Sequence, residues 1–244
     1  MQKTNDVIAL GNTLMDFLVE IDDNKLIEFD LKKSEMVLVE EEKAKDILKK
    51  LKEHELKVEL VPGGSAANTL RAIGLLGGKA ILCGKVGQDN HGQLYVEEIK
   101  NHNVFPRINQ HSKVTGHAIT FITPDTERTF SVHLGAALEL EKGDILEEDI
   151  AKSKVLHLEG YQLEGPTKET VLHAVEFAKK HGTKVSIDLS DGGVIRRNKE
   201  FVKLFIKENV DILFANEAEA EDYTGIKEED AAREIGKHCE IAIV

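Results

Sequence analysis

Gly63-Gly64-Ser65-Ala66-Ala67-Asn68 opens an apolar stretch with helical spacing, Leu70-Arg71-Ala72-Ile73-Gly74-Leu75-Leu76-Gly77. Two glycines let the backbone approach a neighbour closely, because no Cβ intervenes. Ser65 suits the N-cap of the helix, whose first N–H groups carry partial positive charge. Asn68 follows one turn inside, with a side chain that both donates and accepts hydrogen bonds. Such a helix start suits a polyhydroxylated or anionic small molecule. From these residues alone, a tight loop whose glycines serve only the turn is an equal alternative.

Outward from this loop, short apolar runs alternate with helix-patterned segments. Val7–Leu10, Lys79–Val86, Val155–Leu158, Lys184–Leu189, Asp211–Ala215 and Glu240–Val244 have the length and composition of buried strands. Between them, Pro166–His181 begins with proline and stops at Gly182, the asymmetry expected of helix ends. Phe201, Leu204 and Phe205 mark a second amphipathic helix, and Ala231, Ala232 and Ile235 a third. The alternation predicts an α/β fold of three αβα layers, a parallel sheet with helices on both faces. Two stretches break the rhythm. One holds alternating patterns at Phe17–Ile21 and Met36–Val39; the other holds Thr115–Thr123 and Arg128–Phe130, joined at Pro124-Asp125. The expectation is a single α/β domain over 1–244, with a small β-sheet lid formed by inserts at about 17–39 and 107–130. The terminal run Ile241–Val244 lacks the covering helix that normally follows a parallel strand. More chain is therefore expected after it, unless it is an exposed edge.

The 244 residues carry a formal net charge of −12. That argues against nucleic acid or an anionic membrane as partner, because phosphate binding needs basic patches. A few local donors still suffice for a nucleotide. Cys83 and Cys239 are too few for a disulfide framework. No run has the length of a membrane span or a signal sequence, so the expected location is the cytoplasm. The ten histidines show no pair at helical metal spacing, and no His-ligated metal is expected.

Five pieces, in this order and spacing, resemble the ribokinase-like (PfkB) family of sugar and nucleoside kinases. They are Gly11-Asn12 with Asp16; the Gly63–Asn68 loop and its helix; Val86-Gly87-Gln88-Asp89-Asn90-His91-Gly92; Asp188-Leu189-Ser190; and Asn216-Glu217-Ala218-Glu219-Ala220. The resemblance implies an αβα core with a β-sheet lid, and ATP-dependent phosphorylation of a hydroxymethyl group on a sugar or nucleoside. It places substrate contacts on Asp16, Gly63, Gly64 and Asn68. It puts Asn216 and Glu219 near the phosphates, with Glu219 reaching Mg²⁺ through water. Asp188 either faces the nucleotide or caps Gly192-Gly193. The stretches Asn216–Ala220 and Leu158-Glu159-Gly160-Tyr161 resemble the adenosine-kinase and general sugar-kinase branches. A homodimer through the lid is compatible with the family and is left open.

The physical chemistry agrees with these roles. An ionised Asp16 can accept hydrogen bonds from adjacent hydroxyls, and charge-assisted bonds are the stronger kind. Mg²⁺ keeps several waters and binds few protein groups directly. The family's catalytic Gly-Ala-Gly-Asp, whose aspartate is the general base, has no match in the chain: neither Gly143-Asp144 nor Gly135-Ala136-Ala137 supplies it. No catalytic residue is therefore expected among residues 1–244, and the family pattern predicts a chain that stops before that motif. A naturally short sugar- or nucleoside-binding protein is the alternative. There is no P-loop and no Gly-x-Gly-x-x-Gly after the first strand. Asp16→Ala should remove sugar affinity, and Ala72→Asp should disrupt the packing of the loop's helix.

Overall fold

The computed structural model describes residues 2–244. Its strands are β1 (Asn5–Leu10), β2 (Leu14–Glu20), β3 (Met36–Leu38), β4 (Val58–Pro62), β5 (Ala80–Gly87), β6 (Val104–His111), β7 (Gly116–Ile122), β8 (Arg128–His133), β9 (Ser153–Glu159), β10 (Lys184–Asp188), β11 (Ile212–Phe214) and β12 (Ile241–Ile243). Each of the six apolar runs forms a strand of one sheet, ordered β12-β11-β10-β9-β1-β5-β6 and parallel throughout. All eight residues of β5 are buried, as a parallel strand covered on both faces requires. Helices Lys168–His181, Lys199–Asn209 and Glu228–Ile235 occupy the three expected segments. The first begins two residues after Pro166, with Thr167 at its N-cap and Gly182 closing it in the left-handed conformation.

The second sheet has five strands, β3-β8-β7-β2-β4. The β7–β8 hairpin turns where Pro124-Asp125 predicted, with the Thr123 amide bonded to the Glu127 carbonyl. Its boundaries differ from the expected inserts. Strand β2 starts at Leu14, so Asp16 lies within it, and β4 falls outside both stretches. Residues 107–111 belong instead to β6, at the edge of the main sheet. Pro106 obscures β6 in the sequence; an edge strand tolerates it because one side needs no ladder.

Alternation along the lid strands separates two faces. Phe17, Val19, Ile119 and Phe121 join Leu26, Phe29, Ile47, Tyr95 and Ile99 in one buried cluster that also contains Ala9 and Leu82 of the main sheet. Burying each of the Val, Leu, Ile and Phe side chains contributes about 1.5–3 kcal/mol, so that face is anchored to the body. The other face holds a cross-strand row, Val61-Asp16-Ala118-Val132-Leu38. No helix among the described residues is long and apolar enough to cross a membrane.

Candidate functional site

The strand order places the ends of β1, β9, β10 and β11 side by side. Asn12, Glu159, Asp188 and Asn216 follow or close these strands, so they line one carboxyl edge of the sheet. Open α/β sheets bind ligands at that edge. Three interstrand spacings of ~4.8 Å separate the β1 and β11 ends by ~14 Å.

At the β1 end, strand β4 feeds directly into the glycine loop, and β2 carries Asp16 alongside it. The Gly63 amide donates to the Leu14 carbonyl at 2.7 Å. A Cβ on Gly63 would overlap the Asp16 carboxylate, and one on Gly64 would overlap the Asn12 carbonyl. Gly64 also has φ 93°, a conformation that L side chains rarely adopt. Both glycines are thus dictated by close approach to the acid and to the end of β1. Gly64, not Ser65, occupies the N-cap of helix Ser65–Leu75, because the positive-φ residue has to come before the helix starts. Asn68 is exposed one turn in, and Arg71 donates to its Oδ1 at 3.3 Å and to the Pro62 carbonyl at 3.0 Å. Burial pushes the Asp16 carboxyl up to about 6, opposed by the Arg71 guanidinium. On this helix the buried residues are Ala66, Ala67, Leu70 and Gly74. Ala72 is exposed, which corrects the expectation that Ala72→Asp would break packing.

Sequence reasoning gave no site role to Glu159. This last residue of β9 is 1% exposed. Its carboxylate accepts from the Ala66 amide at the helix start, and from the Asn12 amide at 3.3 Å. Burial pushes it up to about 7 against those two donors. It supplies the acceptor expected of Ser65 and ties the loop to the sheet. An acid closing the apolar run Val155–Leu158 was the available signal, the same one that marked Asp188. Tyr95 gave no such signal: a lone aromatic at helical spacing looks like core.

At the other end of the edge, Asp188 Oδ1 accepts from the Ser190 amide at 2.8 Å, and Ser190 adopts φ 63°. Asp191, not Asp188, caps the short helix at Gly192, accepting from Val194. Asn216 and Glu219 form a capping box on helix Glu217–Thr224, with bonds of 2.9 and 3.0 Å. A third bond, from Asn216 Nδ2 to Glu219 Oε1, measures 2.8 Å. Burial raises Glu219, and Asp188 adds to the rise. The fold therefore collects Asp16, Gly63, Gly64 and Asn68 at one end of the edge, and Asp188, Asn216 and Glu219 at the other. Among the described residues, no group of three or more His, Cys, Asp or Glu is arranged to hold a metal ion. Asp89 caps helix Asn90–Asn101 and accepts from the Thr115 amide and hydroxyl, each at 2.7 Å. The Val86–Gly92 turn is thereby fastened to the base of the lid.

Residues 25–243 match the pfkB family of carbohydrate kinases. The guanosine-inosine kinase of Escherichia coli strain K12 is 26% identical over 228 residues, 90% of this chain and 52% of that protein. The chain thus spans about half the length of this curated relative. Among solved structures, the adenosine kinase from Sinorhizobium meliloti superposes with a TM-score of 0.86 at 29% identity, covering 98% of this chain and 74% of that one. A probable sugar kinase from Rhizobium etli CFN 42 gives 0.86 at 29% identity, covering 100% and 74%. With the family matching nearly end to end and the fold shared with solved kinases, the chain belongs to the pfkB family of carbohydrate kinases.

Proposed function

We propose that this chain carries the substrate-binding part of an ATP-dependent kinase that phosphorylates a hydroxymethyl group of a sugar or nucleoside. The observation that carries the reading is the single carboxyl edge, along which the β1 and β11 ends that position the two sets of residues are three strand spacings, ~14 Å, apart. Asp16, the Gly63-Gly64 backbone and Asn68 offer charged and neutral partners for hydroxyls. Asp188, Asn216 and Glu219 lie where the phosphates would approach. Relatives named as guanosine-inosine and adenosine kinases favour a nucleoside.

The residues present fit Mg²⁺ that arrives with the nucleotide and keeps its waters, rather than a protein cage. Both Glu219 carboxylate oxygens already bond Asn216, and their remaining lone pairs suit contact through water. When bound, the ion would neutralise charge on the transferred phosphoryl group. The lid would exclude water from the sugar side.

The second reading is a sugar- or nucleoside-binding protein without phosphoryl transfer, for which the set Asp16, Gly63, Gly64 and Asn68 would suffice by itself. ADP release measured on the complete gene product, with MgATP and a panel of nucleosides and sugars, separates the two. Turnover with at least one acceptor is expected; none with any would leave the binding protein.

A further inference from the structure

Tyr95 sits on helix Asn90–Asn101, fully buried, and its hydroxyl donates to the Gly63 carbonyl at 2.9 Å. Packing alone would be served by phenylalanine, since a buried hydroxyl is costly unless bonded. The peptide it holds is unusual. The Gly63–Gly64 unit has no Cβ on either side, so the side-chain restriction that normally fixes the plane of a peptide is missing here. The bond from Gly63 N to Leu14 O fixes the preceding peptide, and the bond from Asn68 N to Gly64 O fixes the following one. Tyr95 is the partner that holds the peptide between them.

In a trans peptide the C=O and N–H groups point in opposite directions. A carbonyl drawn inward to Tyr95 therefore turns the Gly64 N–H outward, away from the core. We propose that Tyr95 is a positioning residue: its hydroxyl sets the Gly63–Gly64 peptide so that the Gly64 N–H donates into the sugar pocket. The inference rests on the sugar-side reading of Asp16, Gly63, Gly64 and Asn68. Burial and the nearby carboxylates of Glu159 and Asp16 keep the phenol protonated, so the donor persists at all working pH values.

The test is Tyr95→Phe, which keeps the ring and removes the donor. Without ligand, ¹H–¹⁵N spectra should show the Gly64 amide resonance shifted or doubled, because the peptide now samples both orientations. Calorimetric titration with adenosine, guanosine and ribose should show affinity about 5- to 30-fold weaker, the size of one hydrogen bond lost or left unmade. Tyr95→4-aminophenylalanine restores a donor and should return both readouts toward wild type, which a purely packing role would not predict. An unmoved Gly64 resonance in Tyr95→Phe, or an affinity within twofold of wild type, overturns the inference. Asp16→Ala in the same titrations keeps the two claims apart. If Asp16→Ala loses binding while Tyr95→Phe does not, only the role of Tyr95 falls. If Asp16→Ala binds like wild type, or wild type binds none of the probes, the sugar-side reading fails and takes the inference with it.

Discussion

Glu159→Gln should change how stability depends on pH, and the size of the change follows from where the carboxyl sits. The group moves from 4.5 in the unfolded chain to about 7 in the folded one, with burial as the main cause. Between those values the folded chain holds a proton that the unfolded chain has released. Stability therefore falls as pH rises, by about 1.4 kcal/mol per pH unit and about 3 kcal/mol in all. Glutamine cannot ionise, so the variant escapes this loss. It keeps an oxygen for the Ala66 amide, but its NH₂ group meets the Asn12 amide and forfeits a bond of about 1 kcal/mol. The variant should match wild type near pH 5 and be about 2 kcal/mol more stable at pH 8. Urea denaturation followed by circular dichroism at both pH values measures this. A variant destabilised equally at pH 5 and pH 8 would refute the reasoning, because Glu159 would then be acting as an ionised helix cap.

Leu70→Ala empties a fully buried position beneath the glycine loop and should cost about 2–5 kcal/mol by urea denaturation; a loss under 1 kcal/mol would contradict the packing described. Gly64→Ala must relieve both a left-handed φ and an overlap with the Asn12 carbonyl. It should lower stability by about 1–3 kcal/mol and weaken nucleoside binding, and an unchanged melting temperature would count against the strained loop. Cys83 and Cys239 are buried, and burial pushes their thiols up to about 12 and about 11. Both should react with a thiol reagent only as fast as the chain unfolds, so a rapid native-state equivalent would show one of them to be accessible.

The parallel sheet was legible because each of its strands, apart from β6, is a run of apolar residues with a clear end. Of the candidate residues, Asp188 and Asn216 stood out at or just after the ends of such runs, whereas Asp16, Gly63, Gly64 and Asn68 were marked by the glycine loop and the family resemblance. What lay hidden was tertiary. β4 is half exposed, so its pattern is weak until β2 pairs with it. The N-cap could not be placed at Gly64 without knowing that Asn12 crowds its Cα. Glu159 and Tyr95 act on the loop from 93 and 32 residues away in sequence, and no local pattern reports such a partnership. Ala72 was misplaced for the opposite reason: Ile73, Leu75 and Leu76 after it are apolar, but the helix turns the face of Ala72, Leu75 and Leu76 to solvent.

Under the proposed function, an ionised Asp16 receives the hydroxyls of a sugar or nucleoside. Its carboxyl lies at about 6 in the free chain, so about one-tenth is ionised at pH 5 and nearly all at pH 8. Calorimetric titration of adenosine, guanosine and ribose at the two pH values tests the claim directly. One-to-one binding about tenfold tighter at pH 8 is expected, with Asp16→Ala abolishing it. Saturable binding that is indifferent to both pH and Asp16→Ala would contradict that role.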